Sequence, residues 1–131
     1  MRIEAKTIPH SEQRYPTCGD WWFDAEGVLQ VRTSDLGDWR KEACILVHEI
    51  IETLICKKNG VSQEAVDKFD TEYEKNRPED DESEPGDDPQ APYYNEHQIA
   101  TSVERLLAQQ LGLNWNEYEE EINALFEPRQ L

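Results

Sequence analysis

Asp38-Trp39-Arg40-Lys41-Glu42-Ala43-Cys44-Ile45-Leu46-Val47-His48-Glu49-Ile50-Ile51-Glu52-Thr53-Leu54-Ile55-Cys56-Lys57-Lys58 is the most hydrophobic stretch of this chain. Its apolar residues return at helical spacing, which predicts a long helix entered after Ser34–Asp38 and stopped at Asn59-Gly60, a good C-terminal signal. On a helical wheel Leu46, Val47, Ile50, Ile51 and Leu54 form the face expected to be buried. The opposite stripe carries Lys41, Ile45, His48, Glu49, Glu52 and Cys56. Read plainly, it is the wet side of an amphipathic helix. Ile45 and Cys56 lie within it, however, and Ile55 borders it, so the stripe reads as covered. A covered carboxylate costs several kcal/mol unless it is paired or holds a cation.

Outward from this helix, the N-terminal side is strand-like. Ile3–Ile8 begins with alternation and ends at Pro9. Trp21-Trp22-Phe23 and Val28–Thr33 are rich in aromatic and β-branched residues, and Asp24-Ala25-Glu26-Gly27 between them makes a plausible hairpin turn. A small antiparallel sheet is therefore expected. On the C-terminal side, Ser62 should cap a second helix carrying Ala65, Val66, Phe69 and Tyr73 on one face. Residues 77–93 are acidic and almost free of large apolar side chains, and read as an exposed loop. A third helix is expected from Asn95, with Gln98 completing a capping-box pattern, to about Gln110, burying Ile99, Val103, Leu106 and Leu107. Asn116 should cap a short final helix that runs through Leu125-Phe126 and stops at Pro128. The fold class is α+β: one domain over residues 1–131, with a small N-terminal sheet followed by three to four helices.

Composition narrows the functions. The formal net charge of -16 opposes direct nucleic-acid or anionic-membrane binding and fits a basic protein partner. No apolar run approaches membrane-spanning length, and Met1-Arg2-Ile3-Glu4 does not open a signal peptide. Cys18, Cys44 and Cys56 lack the spacing of a disulfide framework and read as reduced thiols of a cytoplasmic protein.

The chemistry concentrates on His48-Glu49-Ile50-Ile51-Glu52. His48 and Glu52 are four residues apart and project from the same side of the helix, so both can reach one ion. A further ligand must come from another element, and the third helix offers His97, with Glu96 as its rival. Taken alone, His97 reads more simply as a polar residue of a first helical turn. His48, Glu52 and His97 together make a two-histidine, one-carboxylate set that leaves a fourth position open. Glu104, two turns along, is placed to orient a ligand.

A short sheet with a hairpin, a helix bearing His48-Glu49-x-x and a later helix supplying a ligand resemble the zincin-like metallopeptidase fold. The closest likeness is to its compact forms in phage and mobile-element regulators. The resemblance covers about Ile3 to Leu111, and His48–Glu52 is its one sharp motif. It implies His48 as a zinc ligand and Glu49 as the catalytic general base acting on a peptide or related amide bond. Glu52 departs from the family, which has a second histidine there. If His97 supplies the missing imidazole, the ligand set is restored and zinc is the expected cofactor. If it does not, the site is oxygen-rich, holds zinc poorly, and is either degenerate or suited to another divalent ion.

Three other patterns carry less. Glu49-x-x-Glu52 followed by Glu64-x-x-Asp67 resembles the magnesium site of all-α nucleotide pyrophosphatases, against which the hairpin and the histidine speak. The acids at 79–88 lack the calcium-loop pattern. Trp21, Trp22, Trp39 and Trp115 could line a cleft, although core packing explains such aromatics as well. If the histidine–glutamate stripe is only structural, the chain is instead an acidic interaction protein that docks on a basic surface through Asp80, Asp81, Asp87 and Asp88.

Overall fold

The computed structural model describes residues 1–78 and 83–125. Three strands come first: β1 (Ile3–Ile8), β2 (Gly19–Phe23) and β3 (Leu29–Ser34). They form one sheet in the order β1-β3-β2. The β2–β3 hairpin is antiparallel, and Asp24 closes its turn by accepting the backbone N–H groups of Glu26 and Val28, with Gly27 at φ 78°. β1, however, pairs with β3 in parallel, so the sheet is mixed and not purely antiparallel as its alternation suggests. The reason is topological. Residues 9–18 cross from β1 to the far edge of the sheet, so β1 enters beside β3 in the same direction.

Four helices follow: α1 (Trp39–Asn59), α2 (Gln63–Lys75), α3 (Tyr94–Gln110) and α4 (Trp115–Ala124). The α1 boundaries agree with the sequence. The Asp38 side chain accepts from the Arg40 N–H, and Gly60 closes the helix at φ 74°, where a residue with a Cβ would be strained. Ser62 caps α2 as expected, accepting from the Ala65 N–H. Two starts move. α3 begins one residue earlier, after Tyr93, so Asn95 is inside the helix and not at its cap. α4 is capped by Asn114, whose side chain accepts from the Glu117 N–H, and not by Asn116. Phe126 and Pro128, expected at its end, lie outside the described residues.

α1 lies against β2 and β3 on one side and against α3 on the other, between two apolar clusters. One gathers Trp21, Leu29, Val31, Cys56, Val66 and Tyr93, and the other Cys44, Ile45, Ala108, Tyr118 and Ile122. The orientation of α1 overturns the wheel. Its buried residues are Cys44, Ile45, His48, Glu49, Glu52, Thr53 and Cys56, the mainly polar stripe, while Leu46 and Ile50 are only half-buried and Leu54 is exposed. α3 is turned likewise: Glu96, His97, Ala100 and Ala108 are buried, while Ile99 and Leu106, expected in the core, are exposed. Both helices thus face each other with their titratable sides. Nor is the whole acidic segment an exposed loop. Pro85–Asp87 forms a 3-10 turn against α3, and Gly86, Ala91 and Tyr93 are buried. Among the described residues, no helix is long and apolar enough to cross a membrane.

A candidate metal centre between two helices

His48 and Glu52 stand one turn apart on the buried side of α1, and His97 faces them from the first turn of α3. Three donor atoms converge. His48 Nε2 lies 3.1 Å from Glu52 Oε2 and 3.2 Å from His97 Nδ1, and His97 Nδ1 lies 2.9 Å from the same Glu52 oxygen. A tetrahedral zinc with ligands at about 2.0–2.1 Å sets neighbouring donors about 3.4 Å apart, so the triangle is slightly tighter than an ion would make it. The buried cluster His48, Glu52 and His97 can therefore hold a metal ion. Glu96, the rival ligand, is buried elsewhere, 3.5 Å from the Asn59 side-chain amide.

Each ligand is held from behind on the atom that faces away from this point. His48 Nδ1 meets Glu104 Oε1 at 2.7 Å, and Tyr118 donates its hydroxyl to the other Glu104 oxygen at 2.6 Å. Trp21 Nε1–H donates to Glu52 Oε1 at 3.1 Å. His97 Nε2 lies 3.1 Å from Glu84 Oε2 and 3.4 Å from Asp87 Oδ1, on the 3-10 turn. Gly86 of that turn packs so closely on the His97 ring that a Cβ there would collide with it. Such outer contacts fix the tautomer and aim of each ligand. Replacing Glu104 with glutamine is expected to weaken zinc binding about 10–100-fold, as measured by competition with a chromophoric chelator. Unchanged affinity would mean that His48 needs no orienting partner.

Glu49, the next residue along α1, differs from its neighbours. It is buried, lines the same cavity and lies against Gly19 of β2, where a Cβ would strike its carboxylate. Among the described residues its carboxylate has no direct hydrogen bond, and His48 and His97 act on it only through space. The electrostatics follow from this layout. Burial and the nearby Glu52 push the Glu49 carboxyl well above the usual range, with His48 opposing them. Burial also works against ionising Glu52, but hydrogen bonds from His48 and His97 outweigh it and bring that carboxyl down to about 2. Burial opposes the charge on both imidazoles, yet Glu104 and Glu52 around His48, and Asp87, Glu52 and Glu84 around His97, raise them well above the ordinary value. The centre thus demands positive charge, which protons or a metal ion can supply.

The cavity, about 180 Å³, runs along α1 from Ile45 to Glu52, with α2 on one side and α4 on the other. Trp21 and Trp115 line it, whereas Trp39 is exposed and Trp22 lies under the Arg14 and Arg32 guanidinium groups. Asp67 reaches the cavity but Glu64 is exposed, so the magnesium pattern of Glu49, Glu52, Glu64 and Asp67 is not assembled. Asp80 and Asp81 lie outside the described residues, and Asp87 is committed to His97. Its neutralisation would therefore disturb the centre as well as any docking surface.

Sequence reading missed two buried acids, Asp20 of β2, which Arg14 pairs, and Asp70 of α2. Asp70 accepts hydrogen bonds from the Tyr15 hydroxyl at 3.0 Å and from the Tyr93 hydroxyl. Burial pushes this carboxyl up to about 7, with the two tyrosines pulling the other way. Its folded pKa thus lies above its unfolded value, so the stability it contributes is complete below about pH 4 and is lost as pH rises through 7. Asp70→Asn removes that loss. Relative to wild type, the Tm of the variant is expected to rise by at least about 4 °C between pH 5 and pH 8. Parallel curves by scanning calorimetry would show that Asp70 does not titrate there.

No family model, no curated protein and no solved structure matches this chain. The chemistry of the centre has to be read from its own geometry.

Proposed function

We propose that this chain is a metal-dependent hydrolase of zincin-like design, acting on a peptide or related amide bond. The observation that carries the reading is the convergence of His48 Nε2, Glu52 Oε2 and His97 Nδ1 on one buried point, each ligand braced from behind, beside an unpartnered Glu49. Two imidazoles and one carboxylate suit zinc, with manganese or iron as oxygen-tolerant alternatives. A divalent ion here would act as a Lewis acid, polarising the substrate carbonyl and acidifying water. Burial and Glu52 hold the Glu49 carboxyl protonated, and the charge of a divalent ion beside it would ionise it, so that it can take the proton of the attacking water and pass it to the leaving nitrogen. Glu104 and Tyr118 hold His48, Trp21 holds Glu52, and the Pro85–Asp87 turn holds His97, so the ligands need little rearrangement.

The three free cysteines fit a reducing compartment, and the reading places the protein in the cytoplasm. The test is hydrolysis of an unfolded, fluorescently labelled protein by the zinc-loaded chain. Cleavage that a chelator stops and added zinc restores supports the reading. Cleavage indifferent to the chelator contradicts it.

A further inference from the structure

The cleft around the centre is more acidic than a single ion can balance. Besides Glu49 and Glu52, Glu84, Asp87, Glu104 and Glu119 line it, and no lysine or arginine does among the described residues. Arg14, the cation nearby, is spent elsewhere: its guanidinium bonds Asp20 at 2.7 and 2.8 Å and reaches Asp67 at 3.4 Å. A dication at His48, Glu52 and His97 offsets two of those charges; Glu104, Glu84 and Asp87 stay bonded to the two imidazoles, and Glu119 remains for an incoming cation. Glu49, only 8% exposed, lines the same cavity beside them.

The α4 side of the cavity sets apolar side chains beside an acid. Ile122 is buried, half-buried Trp115 already carries the Arg105 guanidinium 5.5 Å from its ring centroid and so accepts a cation, and exposed Glu119 stands beside them. No partner binds the Glu119 carboxylate among the described residues. An aliphatic stem ending in a positive head matches this order, since lysine and arginine bury their stems and keep the head wet. Each helical residue advances about 1.5 Å, so Ile45 to Glu52 spans roughly 10 Å, room for about three extended peptide residues.

We infer that this cleft selects a basic peptide segment, with a lysine or arginine side chain lying along Trp115 and Ile122 and its charge at Glu119. The inference rests on the hydrolytic reading only in taking the bound peptide to be a substrate.

Binding is measured first without turnover, by fluorescence anisotropy on the zinc-loaded Glu49→Gln protein at about 150 mM salt, where bulk attraction is screened beyond about 8 Å. The probes are three labelled hexapeptides alike except for lysine and arginine, glutamine or glutamate at the same positions. The basic peptide is expected to bind at least about tenfold more tightly than the glutamine one. In the same background Glu119→Lys should remove about tenfold of that affinity. Glu26→Lys, the same charge change on the exposed hairpin turn, should alter it less than about twofold. Equal binding of basic and glutamine peptides, or equal losses from the two charge reversals, would overturn the inference. The wild-type enzyme with the same peptides separates the two readings. Cleavage of the glutamine peptide as fast as the basic one overturns the basic selection and leaves the hydrolase standing. Site-dependent binding of the basic peptide with no cleavage of any probe sustains the cleft and counts against the hydrolase.

Discussion

Glu49→Gln is expected to abolish hydrolysis while the protein still binds its ion. Glutamine keeps the size and shape of the side chain but cannot accept a proton from water at neutral pH. General-base catalysis of this kind is worth about 10²–10⁴ in rate, so the residual activity should fall by that factor or more. The position predicts a second signature that needs no substrate. In the metal-free protein Glu49 is a buried carboxylate close to Glu52, without a hydrogen bond of its own. Its carboxyl is held well above the usual range, so at neutral pH folding must bind a proton that the unfolded chain has released; glutamine removes that cost, and metal-free Glu49→Gln should melt above metal-free wild type. Hydrolysis that survives the substitution would remove Glu49 from the chemistry. A lower melting temperature would show that its charge has a partner that stabilises it.

Withdrawing the ion is expected to cost the fold much of its stability. His48, Glu52 and His97 are all buried, and a cation bound among them stabilises the folded state alone. With free metal 100-fold above its Kd the gain is about 2.7 kcal/mol. In a domain of this size that corresponds to roughly 10 °C in Tm. A chelator should remove this gain, and His97→Ala should remove the response to added zinc altogether. The effect is specific to the three ligands. Substituting Glu96, buried on the same helix but turned away to Asn59, should leave the zinc-dependent shift in place. A chelator without effect on the wild-type Tm would mean that protons alone supply the positive charge in this cluster.

Much of the fold could be read from local chemistry. The Asp24–Gly27 turn, the Asp38 and Ser62 caps and the Gly60 stop are decided by residues within a few positions of one another, and the structure places them as the sequence suggests. What failed depends on tertiary contact. The parallel pairing of β1 is set by where residues 9–18 cross the sheet, which no local pattern encodes. The wheel of α1 assigned the inward face by hydrophobicity, whereas the helix turns its charged stripe inward because His97, Glu104 and Trp21 wait there. Ile45 and Cys56 within the stripe were the signal that it is covered, and that signal outweighed the more apolar opposite face. The same inversion exposes Ile99 and Leu106 on α3.

For the site, the four-residue spacing of His48 and Glu52 was enough to pair them, and Glu104, expected beside a ligand, stands 2.7 Å from His48 Nδ1. The choice of His97 over Glu96 follows from the turn of α3 and had no local signature. Glu84 and Asp87 looked like part of a solvated acidic run. Gly86 between them, which lets the turn lie on the His97 ring, was the clue that this part of the run packs.

The central claim is that one divalent ion sits among His48, Glu52 and His97. Plasma mass spectrometry on protein purified without an affinity tag tests it most directly, comparing wild type with His97→Ala and Glu52→Ala. The account requires about one zinc, or one other divalent ion, per wild-type chain and loss of that ion in both variants. A wild-type chain that carries no metal and takes none up from stoichiometric zinc would contradict it, and would leave the buried stripe of α1 as a proton-bridged structural cluster.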